Sequence, residues 1–251
     1  MSERIGIIIQ ARVGSSRMPG KVLLPFFENQ SILEILISKI KQGMNDLPLV
    51  VATSRSEGDD KIEFLCKDMN VDCFRGDENN VLGRFIDAAK DFNIDTIIRV
   101  CADNPFLDVG LIKYMIAQYK ANTSVDYCSY CTQDNTPVIK THFGFFAEIV
   151  SLKALVKTTS LTSDPLYLEH VTNYIYSSGE FSLNLIELPE YLKNRKDLRF
   201  TIDDNDDFDR LKELFATQKD GNLNIQELVN YVDDHQNIHE GMKQTIKKYT
   251  K

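Results

Sequence analysis

No stretch of this sequence approaches the roughly 20 consecutive apolar residues that a membrane-spanning helix needs. Its opening Met-Ser-Glu-Arg lacks the apolar core of a secretory signal. A membrane partner is therefore not expected, and the cytoplasm is the expected location. Positive charge is also scarce, with 29 Lys and Arg against 37 Asp and Glu and a net charge of −8. With a sequence pI near 5.1, no nucleic-acid partner is expected, whereas a local basic pocket for a small anion is compatible with that balance. Five cysteines, an odd number, argue for reduced thiols rather than a disulfide framework. Cys128 and Cys131 have the spacing of half a zinc site, but no second close pair completes it. They read as buried structural thiols. Internal repeats and low-complexity linkers are absent too.

What is present alternates. Short runs rich in β-branched residues at 5–10, 49–53, 71–74 and 96–100 read as buried strands. Helical patterns separate them at 32–41, 59–68 and 81–91, with another at 111–120. Such βαβ repetition predicts an α/β fold with a largely parallel sheet and helices on both faces. Further strands are expected at 125–130, 181–188 and 198–202, and helices at 149–157 and 166–176. From Phe208 the chain is charged and helical. The expected division is residues 1–207 as the α/β domain and 208–251 as a helical extension of it. At 43% hydrophobic, 251 residues suffice for such a core.

The stretch Gln10-Ala-Arg-Val-Gly-Ser-Ser-Arg-Met-Pro-Gly-Lys-Val22 follows the first strand and looks built for phosphate. It is not a Walker A loop: the glycine spacing is wrong, Val22 stands where Ser or Thr would hold magnesium, and Pro19 removes an amide. The G-x-G-x-x-G dinucleotide fingerprint is missing as well. Yet Arg12, Arg17 and Lys21 sit on one loop at the carboxyl end of a strand, where open α/β sheets bind ligands. Gly14, Ser15 and Ser16 add turn conformations, amides and hydroxyls. Arginine offers forked donors to phosphate and lysine a point charge. The other reading is a solvated basic loop. Under the phosphate reading too, Lys21 is expected to be an exposed loop lysine that contributes little to stability, so that Lys21→Ala leaves folding intact.

Several ordered motifs accompany this loop: Val51-Ala52-Thr53-Ser54, Arg75-Gly76-Asp77 with Val81-Leu82-Gly83-Arg84, and Arg99-Val100-Cys101-Ala102-Asp103-Asn104-Pro105. Glu169-His170-Val171-Thr172 and Arg199-Phe200-Thr201-Ile202-Asp203 complete the set. Together they resemble the cytidylyltransferases that make CMP-activated sugar acids, the CMP-sialate and CMP-KDO synthetase family. The resemblance covers most of residues 4–208 and is fullest to the spore coat polysaccharide biosynthesis branch. Val22, where an Asn commonly follows the loop lysine in the sialate and KDO branches, favours that branch.

The resemblance implies a Rossmann-like, GT-A-like nucleotidyltransferase fold and CMP transfer from CTP to a sugar acid, with pyrophosphate released. It implies that Arg12 and Lys21 stabilise charge on the reacting phosphates and that Gly14, Ser15, Ser16 and Arg17 belong to the nucleotide site. Thr53 and Ser54 would lie near the nucleoside. Aspartates at the positions of Asp103 and Asp203 would hold Mg²⁺, a hard cation that prefers oxygen ligands, with Asp103 also catalytic and Asp207 supporting Asp203. Read from local pattern alone, Asp103 is a turn residue before Pro105 and the acidic run 203–207 is a helix cap.

On the acceptor side, the branch's usual Gly-Leu-Asp-x-Glu pattern becomes Gly144-Phe145-Phe146-Ala147-Glu148, so Phe146 replaces an expected carboxylate. His142, Glu148, Glu169 and His170 are candidate acceptor contacts, or equally structural residues. A sialic- or legionaminic-type acid is the first expectation and a phosphorylated acceptor an alternative. Relatives of this kind commonly form homodimers. A metal-dependent glycosyltransferase is a competing class, separable by whether pyrophosphate is released, and a non-catalytic nucleotide binder would show no turnover. Two lesser features are declined: residues 203–214 lack the Gly and terminal Glu of a calcium loop, and His235 and His239 lack the Glu of a zinc-protease motif and read as solvent-facing. Residues 220–224 read as a turn, with Asn224 capping the helix from Ile225.

Overall fold

Isoleucines at 7 and 9 point to one side of the first strand and Ile8 to the other, and both sides are fully buried. A strand apolar on both faces needs helices above and below it, and that requirement sets the architecture. The computed structural model describes residues 3–122, 125–217 and 224–249.

The first half is a run of βαβ units. It comprises β1 (Ile5–Gln10), a hairpin of β2 (Pro25–Phe27) and β3 (Gln30–Ser31), α1 (Ile32–Gly43), β4 (Leu49–Ser54) and α2 (Asp60–Asp68). It continues through β5 (Asp72–Gly76), α3 (Val81–Asp91), β6 (Thr96–Cys101) and α4 (Val109–Ala121). The second half holds β7 (Tyr127–Cys131), β8 (Glu148–Ser151), α5 (Leu152–Leu161), α6 (Pro165–Glu169), α7 (Asn173–Ser177) and β9 (Leu183–Glu187). Among the described residues, the last three helices are α8 (Asn205–Ala216), α9 (Ile225–Asp234) and α10 (Gln236–Tyr249).

Among the described residues, seven strands form one mixed sheet in the order β5-β4-β1-β6-β8-β7-β9. Its first four strands are parallel, β8 runs antiparallel to both β6 and β7, and β9 is parallel to β7. One face carries Ile7, Ile9, Val51 and Ile98 against α1, α4 and the tail helices through Leu36, Met115, Leu211 and Leu228. The other carries Ile8, Val50 and Ile97 against Leu82, Phe85 and Ile86 of α3 and Leu155 of α5. The expected fold class is the one observed.

Four local expectations are corrected. Residues 198–202 belong to no strand. Their alternating apolar residues bind loops instead: the Phe200 amide donates to the His142 carbonyl at 2.7 Å and the Ile202 amide to the Asp103 carbonyl at 3.1 Å. Gly144, at φ +66°, lets this segment approach, since a Cβ there would lie 2.5 Å from the Phe200 carbonyl oxygen. Second, the helix expected at 149–157 begins only at Leu152, because residues 148–151 complete the sheet as β8 and the Ser151 hydroxyl caps α5 by accepting from the Ala154 amide.

Third, the helix expected at 166–176 is broken in two, with Val171 at φ +27° in the break. Fourth, His235 stacks on Tyr231 with ring centroids 3.8 Å apart, and His239 pairs with Asp197 at 2.5 Å, so neither simply faces solvent. Cys128 and Cys131 are buried free thiols on β7, and burial pushes Cys128 up to about 12. The Asn224 cap is present, its side chain accepting from the Gln226 and Glu227 amides. The turn expected before it, at 220–223, lies outside the described residues.

Candidate active site

The loop after β1 is fastened at both ends. The Val13 carbonyl accepts from the Ser15 amide at 2.7 Å and the Gly20 amide at 2.9 Å, and Gly20 takes φ +75°. Asp59, almost fully buried, accepts from the Val13 amide at 2.7 Å and from the amide and hydroxyl of Ser54. One carboxylate thus ties the loop to the end of β4. Sequence reading placed Asp59 merely at a helix start. Its signal was only a lone acid just after a strand end.

Each loop cation is paired with an acid from a distant segment. Arg12 lies 3.3 Å from Glu169, Arg17 lies 3.2 Å from Asp203, and Lys21 lies 3.1 Å from Asp103 and 3.8 Å from Asp203. The Lys21 ammonium also donates to the Ile202 carbonyl. Contrary to the reading of Lys21 as an exposed lysine, it is only 8% exposed. Asp103 and Asp203 therefore converge on one cation, although 100 positions separate them in sequence. Burial works against ionisation of Asp203, but Lys21, Arg199 and Arg17 outweigh it and hold its carboxyl below the ordinary carboxylate range.

Arg199 organises the acidic run and was not singled out as a site residue. Its guanidinium is fully buried and donates to Asp207 at 2.8 Å and Asp203 at 2.6 Å. A third branch donates to His142 Nδ1 at 2.7 Å. Burial, together with the Arg199 charge, lowers the His142 pKa. The neutral ring that accepts at Nδ1 then carries its proton on Nε2. Asp204 is the helix cap, accepting from the Asp207 amide at 3.0 Å. Asp207 is wholly buried beneath the turn and accepts from the Asp203 amide at 3.0 Å.

A cleft of about 500 Å³ opens beside this cluster, lined by Arg17, Asp103, Asp203, His142, Glu148 and His170 among others. Phe146, Val138 and Ala147 give it an apolar wall. Three of its lining residues carry buried polar atoms without a hydrogen-bond partner: Arg99 Nε, Asn104 Oδ1 and Thr201 Oγ1. Glu148 is buried at the cleft floor with its oxygens engaged by Arg99, Tyr127 and Thr172. Glu169 stays exposed at Arg12. Gly14, Ser15, Ser16, Thr53 and Ser54 do not line this cleft. Thr53 and Ser54 are fully buried at the end of β4, and the Ser54 hydroxyl is committed to Asp59.

The geometry has counterparts. The family model described as cytidylyltransferase matches residues 6–237. The chain is 34% identical over 214 residues to the spore coat polysaccharide biosynthesis protein SpsF of Bacillus subtilis, covering 83% of this chain and 85% of that protein. It is 35% identical over 232 residues to an uncharacterized protein of Methanocaldococcus jannaschii, covering 92% and 91%. A solved cytidylyltransferase from Leptospira borgpetersenii superposes with a TM-score of 0.83 at 30% identity, covering 94% of this chain and 96% of that one. The resemblance carried by the spaced motifs is borne out. With a match running through nearly the whole sheet and its loop, the chain belongs to the cytidylyltransferase family, and is a nucleotidyltransferase enzyme.

Proposed function

We propose that this cytidylyltransferase transfers CMP from CTP to a sialic- or legionaminic-type sugar acid in the cytoplasm, for surface polysaccharide or glycan biosynthesis. An acceptor oxygen attacks the α-phosphorus, the bond to the β-phosphate oxygen breaks, and pyrophosphate leaves. The observation that carries the reading is the meeting of Lys21, Asp103 and Asp203 at the mouth of a mixed polar and apolar cleft. Arg12, Arg17 and Lys21 neutralise the triphosphate, and Gly14, Ser15 and Ser16 offer it amides and hydroxyls. Thr53 and Ser54 support the nucleoside side from the end of β4. Each cation must then exchange a protein carboxylate for phosphate when CTP binds.

Asp103 and Asp203 fit a divalent cation. Both are oxygen donors, and they already converge on one positive charge. Two carboxylates leave coordination positions for water and phosphate oxygens, the ligands that Mg²⁺ takes. When bound, Mg²⁺ supplies positive charge against the phosphates. Arg199 and Asp207 keep Asp203 oriented. Arg99 Nε, Asn104 and Thr201 leave unmet polar groups for acceptor hydroxyls, as do His142, with a protonated Nε2, and His170. Glu148 acts on the acceptor side through Arg99, and Glu169, released from Arg12 when CTP binds, completes it. The role in surface polysaccharide synthesis draws support from the name of the Bacillus subtilis relative.

The test is pyrophosphate release from CTP, ATP, GTP or UTP with N-acetylneuraminate, legionaminate and KDO in turn, with Mg²⁺ and then with EDTA. CTP with a nine-carbon acid should release pyrophosphate, and EDTA should stop it. Release with no acid in the panel would overturn the assignment of a sugar-acid acceptor.

A further inference from the structure

The last described turn of α10 reaches the phosphate loop. Tyr249 lies under Arg17, whose guanidinium carbon is 4.6 Å from the ring centroid, and Arg199 approaches the same ring at 5.6 Å. The Tyr249 hydroxyl donates to Asp204 at 2.6 Å, and Lys248 pairs with the same oxygen at 3.0 Å. The tail is thereby tied to the turn that carries Asp203. Further back, α10 is anchored by buried Met242, whose sulfur accepts from the Arg199 amide at 3.5 Å. Arg210 bonds Thr245 at 3.3 Å.

Of the two arginines on this ring, Arg199 is immobilised by Asp203 and Asp207, whereas the Arg17 side chain is 47% exposed. An ion pair with Asp203 at that exposure is worth little by itself. Stacking on an aromatic face adds attraction and leaves the edge of the guanidinium, with its N–H donors, free. That combination suits a group that must hold its place while exchanging Asp203 for an incoming phosphate.

We propose that Tyr249 is a positioning residue of the nucleotide site: the C-terminal helix supplies an aromatic platform that presents Arg17 to the CTP triphosphate. This rests on the assignment of Arg17 to the nucleotide site. The platform adds an element from the far end of the chain to a site otherwise built by the strand-end loops.

The test is calorimetric titration of the full chain with CTP and Mg²⁺. Tyr249→Leu should weaken CTP binding about fivefold, while Tyr249→Phe, which keeps the ring and loses the hydroxyl, should bind within about twofold of the parent. Arg17→Ala should weaken binding too, and adding Tyr249→Leu to it should cost nothing more. A merely structural tyrosine would give the same loss with or without Arg17, and that result overturns the proposal, as does unchanged affinity in Tyr249→Leu. Failure of the parent protein to bind CTP would instead overturn the assigned function.

Discussion

A lysine ammonium held among two carboxylates and a carbonyl is not exchanged for a neutral group without consequence. In the Lys21→Ala variant, Asp103 and Asp203 lose the charge that lies 3.1 and 3.8 Å away, and the Ile202 carbonyl loses a donor. The expected cost is about 1–3 kcal/mol, or about 2–4 °C in Tm for each kcal/mol in a chain of this size. Turnover should fall roughly 100-fold or more, as expected when a group that stabilises developing charge is removed. Differential scanning calorimetry should show Mg²⁺ restoring part of the lost stability, because a cation can again sit between the carboxylates. An unchanged Tm would show that the buried pairing contributes nothing. The motif pointed to this lysine, but its burial was not readable. Exposure there depends on residues 198–203 folding over the loop, and no local pattern around residue 21 encodes that.

Among the elements, α8 shows how one acidic run divides its labour. Asp204 caps the helix, Asp203 faces the cleft, and Asp207 is buried on Arg199. Both the cap and the ligand readings of residues 203–207 were visible in the sequence. Which aspartate takes which part depends on where helical backbone begins, and a one-residue shift would exchange them. Burial opposes the charge on Asp204, but Tyr249, the Asp207 amide and Lys248 bring its pKa down to about 2. A depressed carboxylate contributes stability above its unfolded pKa of about 3.9, and that contribution is lost as pH falls towards the folded value. Urea unfolding between pH 5 and 2 should therefore show a shallower acid-induced loss for Asp204→Asn than for the parent. Some slope should persist, since Asp197 is likewise held at about 2, with the help of Arg195 and His239 against its own burial. Equal slopes would remove Asp204 from the acid response.

For the molecule as a whole, CTP should act as a stabiliser because only folded protein assembles the site. At 100 times its Kd, a ligand adds about 2.7 kcal/mol, a rise of about 5–10 °C at this chain length. ATP, GTP and UTP should shift Tm less, and equal shifts from all four would refute cytidine selectivity. The sequence alone determined the parallel half of the sheet. There β1, β4 and β6 are buried on both faces and α1 and α3 are amphipathic, so local periodicity and burial agree, and β1 and α3 have the expected bounds. It also determined the family, because motifs spread along the chain in a set order carry more information than any single loop. Where apolar runs lacked that agreement, tertiary contacts decided. Residues 198–202 alternate like a strand yet pair with loops, because Gly144 lets them lie against the 142–144 turn rather than at a sheet edge. The pairing of Lys21 with Asp103 and Asp203, the burial of Arg199, and the contact of Tyr249 with Arg17 join positions tens to hundreds of residues apart. Periodicity and capping act over a few residues, so only the packed structure could bring these charges together.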